Sequence, residues 1–207
     1  MVRAWVSVVA ACLSVVLAGC GGGGMAPDVA ALKSVAPASL KASGKAIIVF
    51  SSSYSITGIL GDLDNPLELS FGRPGSTALD APSSGVSSGS GDQRDRPSIK
   101  QVDAGPLDLV SFTQMVGGKI YLTNKSAMLG VPLASLTVSA GDVVYVGHVL
   151  VVGENRALGI GEASSFSLKI QDDSAKARNY LQTVSPALAQ QLTVRFMTVN
   201  PIYVAKP

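Results

Sequence analysis

Cysteine and histidine are almost missing from this chain, which has two of the first and one of the second in 207 residues. Cys12 lies inside an apolar N-terminal run and Cys20 closes it, so nothing beyond residue 20 carries a thiol. A disulfide-stapled scaffold, a cysteine-ligated zinc site and a thiol nucleophile are therefore excluded from the rest of the chain. The lone histidine, His148, has no second histidine to share a metal with, and a general base needs a partner that orients it. The expectation is a histidine held by hydrogen bonds at a sheet edge or under a loop. Charge is also scarce: 14% of residues are charged and the formal net charge is +2, which gives no electrostatic footprint for nucleic acid. Aromatics are 5%, so the core must be built mainly from Val, Ile, Leu and Ala.

What is present begins with the first twenty residues. Arg3 is followed by the apolar run Val6 to Leu17, and then by Leu17-Ala18-Gly19-Cys20. The run is about a dozen residues, against roughly 20 for a bilayer-spanning helix, so an export signal fits better than a permanent membrane span. Leu17-Ala18-Gly19-Cys20 resembles the lipobox of bacterial lipoproteins. That resemblance implies cleavage before Cys20, lipidation of its thiol, and an acylated N-terminus. Two or more acyl chains, at about 0.8 kcal/mol per buried methylene, make a stable anchor. Gly21 rather than Asp follows the cysteine, which in the enteric-type sorting rule leans towards the outer membrane, with the protein facing the periplasm. The expected partners are the membrane, through this anchor, and an envelope protein.

Residues 20–44 read as the lipidated cysteine and a flexible tether, because Gly21 to Gly24 is a glycine run and Pro27 and Pro37 bracket the next segment. Residues 45–207 read as one domain. Strand signals occur at Lys45 to Ser52, Leu67 to Phe71, Leu107 to Met115, Lys119 to Thr123, Leu136 to Val138, Val143 to Gly153, Ser165 to Ile170 and Leu192 to Val199. In the longest, a strict period of two puts Val143, Tyr145, Gly147, Val149 and Val151 on one face. It puts Val144, Val146, His148, Leu150 and Val152 on the other, so both faces are covered. One helix, capped by Asp172, Asp173 or Ser174, is signalled by Ala177, Tyr180 or Leu181, and Val184 at helical spacing, and a short second one after Ser185-Pro186. The expected fold is mainly β: an antiparallel β-sandwich of about seven strands, with one or two short helices before the last strand. Residues 73–98, rich in Ser, Gly, Pro, Asp and Arg, read as a disordered insertion.

Val138-Ser-Ala-Gly-Asp-Val-Val-Tyr-Val-Gly147 and the later stretch from Asp172-Asp173 to Pro186-Ala187-Leu188 resemble a phrase of uncharacterised bacterial lipoproteins. The resemblance covers Ser135 to Leu192 and implies a small sandwich of transthyretin-like or carboxypeptidase-regulatory-like type. That family supplies no catalytic residues to carry over.

The remaining motifs are thin. Asp62-Leu63-Asp64-Asn65 has closely spaced oxygen ligands but not the order of a calcium loop. Gly159-Ile160-Gly161-Glu162 and the pair Gly58 and Gly61 lack the lysine and the frame of a phosphate loop. No nucleophile elbow stands in a strand–turn–helix frame, although a Ser-His-Asp set assembled from distant residues needs no local motif. The insertion at 73–98 and Tyr54 to Gly58 together are a candidate rim for a ligand pocket at one end of the sandwich. No catalytic, cofactor-binding or metal-binding residue is assigned, no cofactor is expected, and Cys20 is the one functional site named. The function expected is that of a non-catalytic, membrane-anchored envelope lipoprotein; the alternatives are a small-ligand carrier and, least favoured, an envelope hydrolase.

Overall fold

A computed structural model describes residues 32, 35–57, 67–76, 96–116, 119–122, 131–154 and 165–204. The lipobox, Cys20 and most of the expected tether lie outside these residues, as do residues 77–95 of the expected insertion.

Among the described residues the chain forms two β-sheets that face one another, a β-sandwich. The first sheet is ordered β3-β1-β7-β8, from Ser98–Asp103, Lys45–Thr57, Val143–Glu154 and Ser165–Gln171, with β9 (Thr193–Val194) also paired to β7. The second is ordered β10-β6-β4-β2, from Thr198–Val199, Ala134–Val138, Gly105–Val116 and Leu67–Gly72, with β5 (Lys119–Leu122) paired to β4. β4 and β5 form the expected hairpin, with Val116 opposite Lys119.

Pairing is not wholly antiparallel. β1 runs parallel to β7 along its length from Ile47 opposite Val143 to Thr57 opposite Glu154, and β9 is also parallel to β7. A parallel pair cannot be closed by a hairpin; here β2 to β6 intervene in the chain, β3 joining the first sheet and the others the second, before β7 returns beside β1.

Both faces of the first sheet are buried. Towards the second sheet, Ala46, Ile48, Phe50, Val144, Val146, Val149 and Val151 join Leu69, Phe71, Leu109 and Phe112 in the main core. On the other face, Ile47, Val49, Val143 and Tyr145 meet Ala177, Leu181 and Val184 of α2 (Ser174–Val184) and Leu188 and Ala189 of α3 (Pro186–Gln191). α2 can do this because its apolar residues recur every three to four positions and fall on one stripe. Ser185 ends it in extended backbone and Pro186 opens α3, where a missing N–H costs nothing. Arg178 then donates to the Ala189 and Leu192 carbonyls at 2.7 and 2.8 Å, fixing the end of α3 against α2.

Three local expectations are corrected. The last part of the expected tether is folded: α1 (Pro37–Ala42) buries Leu40 in the helix-side cluster, and Leu32 is buried there too. Leucines that can reach an existing apolar surface stabilise a turn that propensity alone would not. Second, Ser98, placed at the end of the low-complexity stretch, begins β3, which pairs with β1. Third, Leu192 to Val199 is not one strand. β9 bonds to β7, Arg195 and Met197 donate to the Tyr145 and Val146 carbonyls, and β10 then pairs with β6 of the second sheet. The segment therefore ties the two sheets together.

The turn Ser139-Ala140-Gly141-Asp142 aligns β7. Gly141 takes φ +90°, a conformation that favours glycine. The Asp142 carboxylate accepts from the Ser139 N–H at 2.8 Å and from Arg195 at 3.2 Å, while the Asp142 carbonyl accepts from Ile47.

Gly147 is the second demanding glycine. The register between β1 and β7 shifts at Val49/Phe50, which leaves Val146 as a bulge, and Gly147 sits there with φ +115°. A Cβ on Gly147 would lie 2.3 Å from Ile170 Cγ2. Gly147→Ala is therefore expected to destabilise the domain by about 3 kcal/mol, from backbone strain plus overpacking; urea denaturation measures it.

At the surface, a hydrogen bond and the charge of Lys45, helped by Arg73, hold the Asp103 carboxyl below its ordinary value. Its contribution is present above the usual carboxylate range and is lost as pH falls through the depressed folded value. Both partners are well exposed, so the expected size is under about 1 kcal/mol. Asp103→Asn should be slightly less stable than wild type at neutral pH, with the gap closing in acid; thermal melts across pH check this.

Candidate functional site

The chemistry-bearing side chains that the fold brings together lie on the helix-side face of the first sheet, beneath the start of α2. β1 contributes Ser51 and Ser53, two residues apart and so on one face. β7 contributes His148, directly opposite Ser51 in the parallel register, and Tyr145. The residue preceding α2 contributes Asp173.

Ser51 Oγ is 2.8 Å from His148 Nδ1, and Ser53 Oγ is 2.8 Å from His148 Nε2. A neutral imidazole has one N–H and one lone-pair nitrogen. It therefore donates to one serine and accepts from the other, and both ring nitrogens are satisfied in either tautomer. The ring is completely buried, and Ser51 and Ser53 are 3% and 6% exposed. The Tyr145 hydroxyl accepts from the Asp173 backbone N–H at 3.2 Å. Burial pushes the Tyr145 phenol up to about 12, with hydrogen bonds from Asp173 and Ser51 pulling the other way, so Tyr145 is a neutral group here. One Asp173 carboxylate oxygen, Oδ2, lies 3.9 Å from His148 Nδ1; it is buried and has no hydrogen-bond partner.

Serine, histidine and aspartate thus meet from distant parts of the chain, but not as a catalytic relay. A relay places the nucleophile on one ring nitrogen, the carboxylate on the other, and leaves the nucleophile open to substrate. Here a serine occupies each nitrogen, the carboxylate stands beyond hydrogen-bond distance on the same nitrogen as Ser51, and the imidazole has no exposed surface. The arrangement is a sealed polar knot within an apolar layer. The histidine is hydrogen-bonded, as expected from sequence, although between two strands in mid-sheet and under a helix start.

Asp62, Asp64, Asn65, Gly58, Gly61 and Gly159 to Glu162 lie outside the described residues. Tyr54, a candidate pocket rim, is 3% exposed and packs in the inter-sheet core. Among the described residues, no group of three or more His, Cys, Asp or Glu side chains could hold a metal, and no helix is long and apolar enough to cross a membrane. Ser51 and Ser53 were missed by sequence reasoning. Their signal was a polar run, Ser51-Ser52-Ser53, interrupting an otherwise apolar buried strand. No known protein family, no curated protein and no solved structure matches the chain.

Removing either partner should be costly. Ser51→Ala or Ser53→Ala leaves a ring nitrogen unsatisfied, at about 1–3 kcal/mol, and His148→Ala adds a cavity, for about 2–4 kcal/mol in all. Denaturant unfolding of the three variants checks the order, with His148→Ala the least stable.

Proposed function

We propose that this chain is a lipid-anchored envelope protein whose β-sandwich is a non-catalytic module for contact with another envelope protein or for envelope structure. The observation that carries the reading is the apolar run closing on Leu17-Ala18-Gly19-Cys20, where Cys20 is the one cysteine outside the run. Cleavage before Cys20 leaves 12 residues ahead of Leu32, which is already packed on the domain. Even fully extended, that segment reaches roughly 40 Å, so the sandwich works close to the bilayer.

Two features of the domain support a contact role over chemistry. The sole histidine is sealed and doubly hydrogen-bonded, which leaves it unsuited to proton transfer with a substrate. Val194, Phe196, Ile202 and Val204 are large apolar side chains, 42% to 67% exposed, all in the C-terminal segment. Exposed apolar groups of this kind suit burial against a partner.

The test is Cys20→Ser in the native host. Wild type should yield an acylated Cys20 N-terminus by mass spectrometry, fractionate with membranes, and crosslink reproducibly to an envelope protein. The variant should accumulate as an uncleaved, unlipidated precursor. An unmodified Cys20 in the mature wild-type protein overturns the anchor, and the absence of any reproducible crosslink overturns the contact role.

A further inference from the structure

We infer that His148 and Asp173 form a proton-loaded latch: a proton on the buried imidazole pairs it with the Asp173 carboxylate and fastens the start of α2 to the first sheet, and loss of that proton loosens the joint.

The inference rests on an imbalance in the knot. With a neutral ring, Ser51, Ser53 and both ring nitrogens are satisfied, yet Asp173 Oδ2 is buried without a partner 3.9 Å from Nδ1. An added proton gives the ring two N–H donors and a positive charge. Ser53 accepts from Nε2 and Ser51 accepts from Nδ1; each serine hydroxyl is then free to turn its own hydrogen elsewhere, and the Tyr145 hydroxyl already lies within reach of Ser51. The charge faces the orphan carboxylate oxygen at a distance where opposite charges act strongly. Asp173 is already bound to β7 through its backbone N–H on Tyr145, and its carbonyl accepts the first helical bond of α2 from Ala177. Whatever holds its carboxylate therefore holds the helix start.

The surrounding charges set the balance. Just before α2, Asp172 is exposed and engaged by Ser174, and Lys176 lies in the first turn of the helix. On β8, Gln171 stands opposite His148, and the exposed Lys169 stands opposite Leu150. On β1 the side chains beside the ring, Ser51 and Ser53, are neutral, and Lys45, at the far end of the strand, is engaged by Asp103. On the C-terminal segment, Phe196 lies beside Gly147, and Arg195 is engaged by Thr137 and Asp142. Burial of the ring and the positive end of α2 oppose the proton, and Asp173 favours it. Because Asp173 raises the proton affinity of the folded ring, the stabilisation it gives is present at lower pH and is lost as pH rises through the folded midpoint.

The chain has one histidine, so imidazole labelling gives a single ring signal. The full chain in detergent micelles, labelled with 15N, is titrated by NMR. The expected result is a ring that titrates while the protein stays folded. Ser174 and Ala177 amides should shift with the same midpoint, and first-turn exchange protection should fall about tenfold as the proton leaves. Asp173→Asn should lower the proton affinity of the ring about tenfold, and Asp172→Asn should change it less than about twofold. Asp173→Ser, a residue well suited to the position before a helix and without the charge, is measured alongside in case Asp173→Asn does not fold. A ring that does not titrate in the folded protein, α2 amides that do not follow it, or a midpoint unchanged by both Asp173 variants overturns the latch.

Discussion

The structure depends on the parallel ladder between β1 and β7. These two strands lie at the centre of the first sheet, and each presents apolar side chains to both faces. One face closes the sandwich with the second sheet and the other carries the helices. Fully burying a residue such as Ile47, Ile48 or Val49 stabilises by roughly 1.5–3 kcal/mol, and a strand buried on both sides gains this at nearly every position. That gain also explains how a domain with few aromatics holds together. Its aromatic rings are placed where they join elements: Phe50 meets Phe71 edge-on across the sandwich, and Phe166 stacks on Tyr203 while meeting Phe112 edge-on.

A ladder buried on both faces leaves no cheap place for a polar side chain, and the sequence nevertheless places Ser51, Ser53 and His148 on it. The three are tolerable only together. A buried hydroxyl or imidazole nitrogen without a partner costs about 1–3 kcal/mol, whereas a satisfied one contributes a small net gain. In-register pairing of Ser51 with His148 is what lets one ring serve two hydroxyls. A slip of one residue would turn the histidine to the other face and leave all three unpaired, so the knot disfavours the wrong register more strongly than it stabilises the right one.

Much of this was legible in the chain. The β-branched runs at Ile47-Ile48-Val49 and Val143 to Val152, the glycine-marked hairpin of β4 and β5, and the two helices after Asp173 and Ser185 follow from local pattern. The illegible parts share a cause: each is decided by a surface elsewhere in the chain. α1 forms because Leu40 finds the helix-side cluster. β3 forms because β1 offers an edge to Ser98–Asp103. The split of Leu192 to Val199 between two sheets depends on where β7 and β6 already stand. The parallel sense of β1 and β7 likewise cannot be read from either strand alone. At the candidate site, the histidine was visible as a solitary titratable group, but its partners lie 97 and 95 positions away, and no local signal connects them.

The face assignment of His148 shows how a single residue reverses a pattern. Strict alternation along β7 puts His148 on the same side as Val144 and Val146, which line the inter-sheet core. There an imidazole would lie on the same side as Phe50 and Leu168, away from Ser51 and Ser53. The bulge at Val146 inserts one extra residue, so Val149 and Val151 take over the inner face and His148 passes to the helix side. The bulge needs a backbone at φ +115° and has no room for a Cβ beside Ile170, so it requires glycine at 147. Gly147, His148 and the serines of β1 are therefore one device: the glycine turns the histidine outward, the parallel register brings the serines to it, and the start of α2 seals them in. A change to any one of these positions is felt as a change in the partners of the others, so their substitution energies should not add.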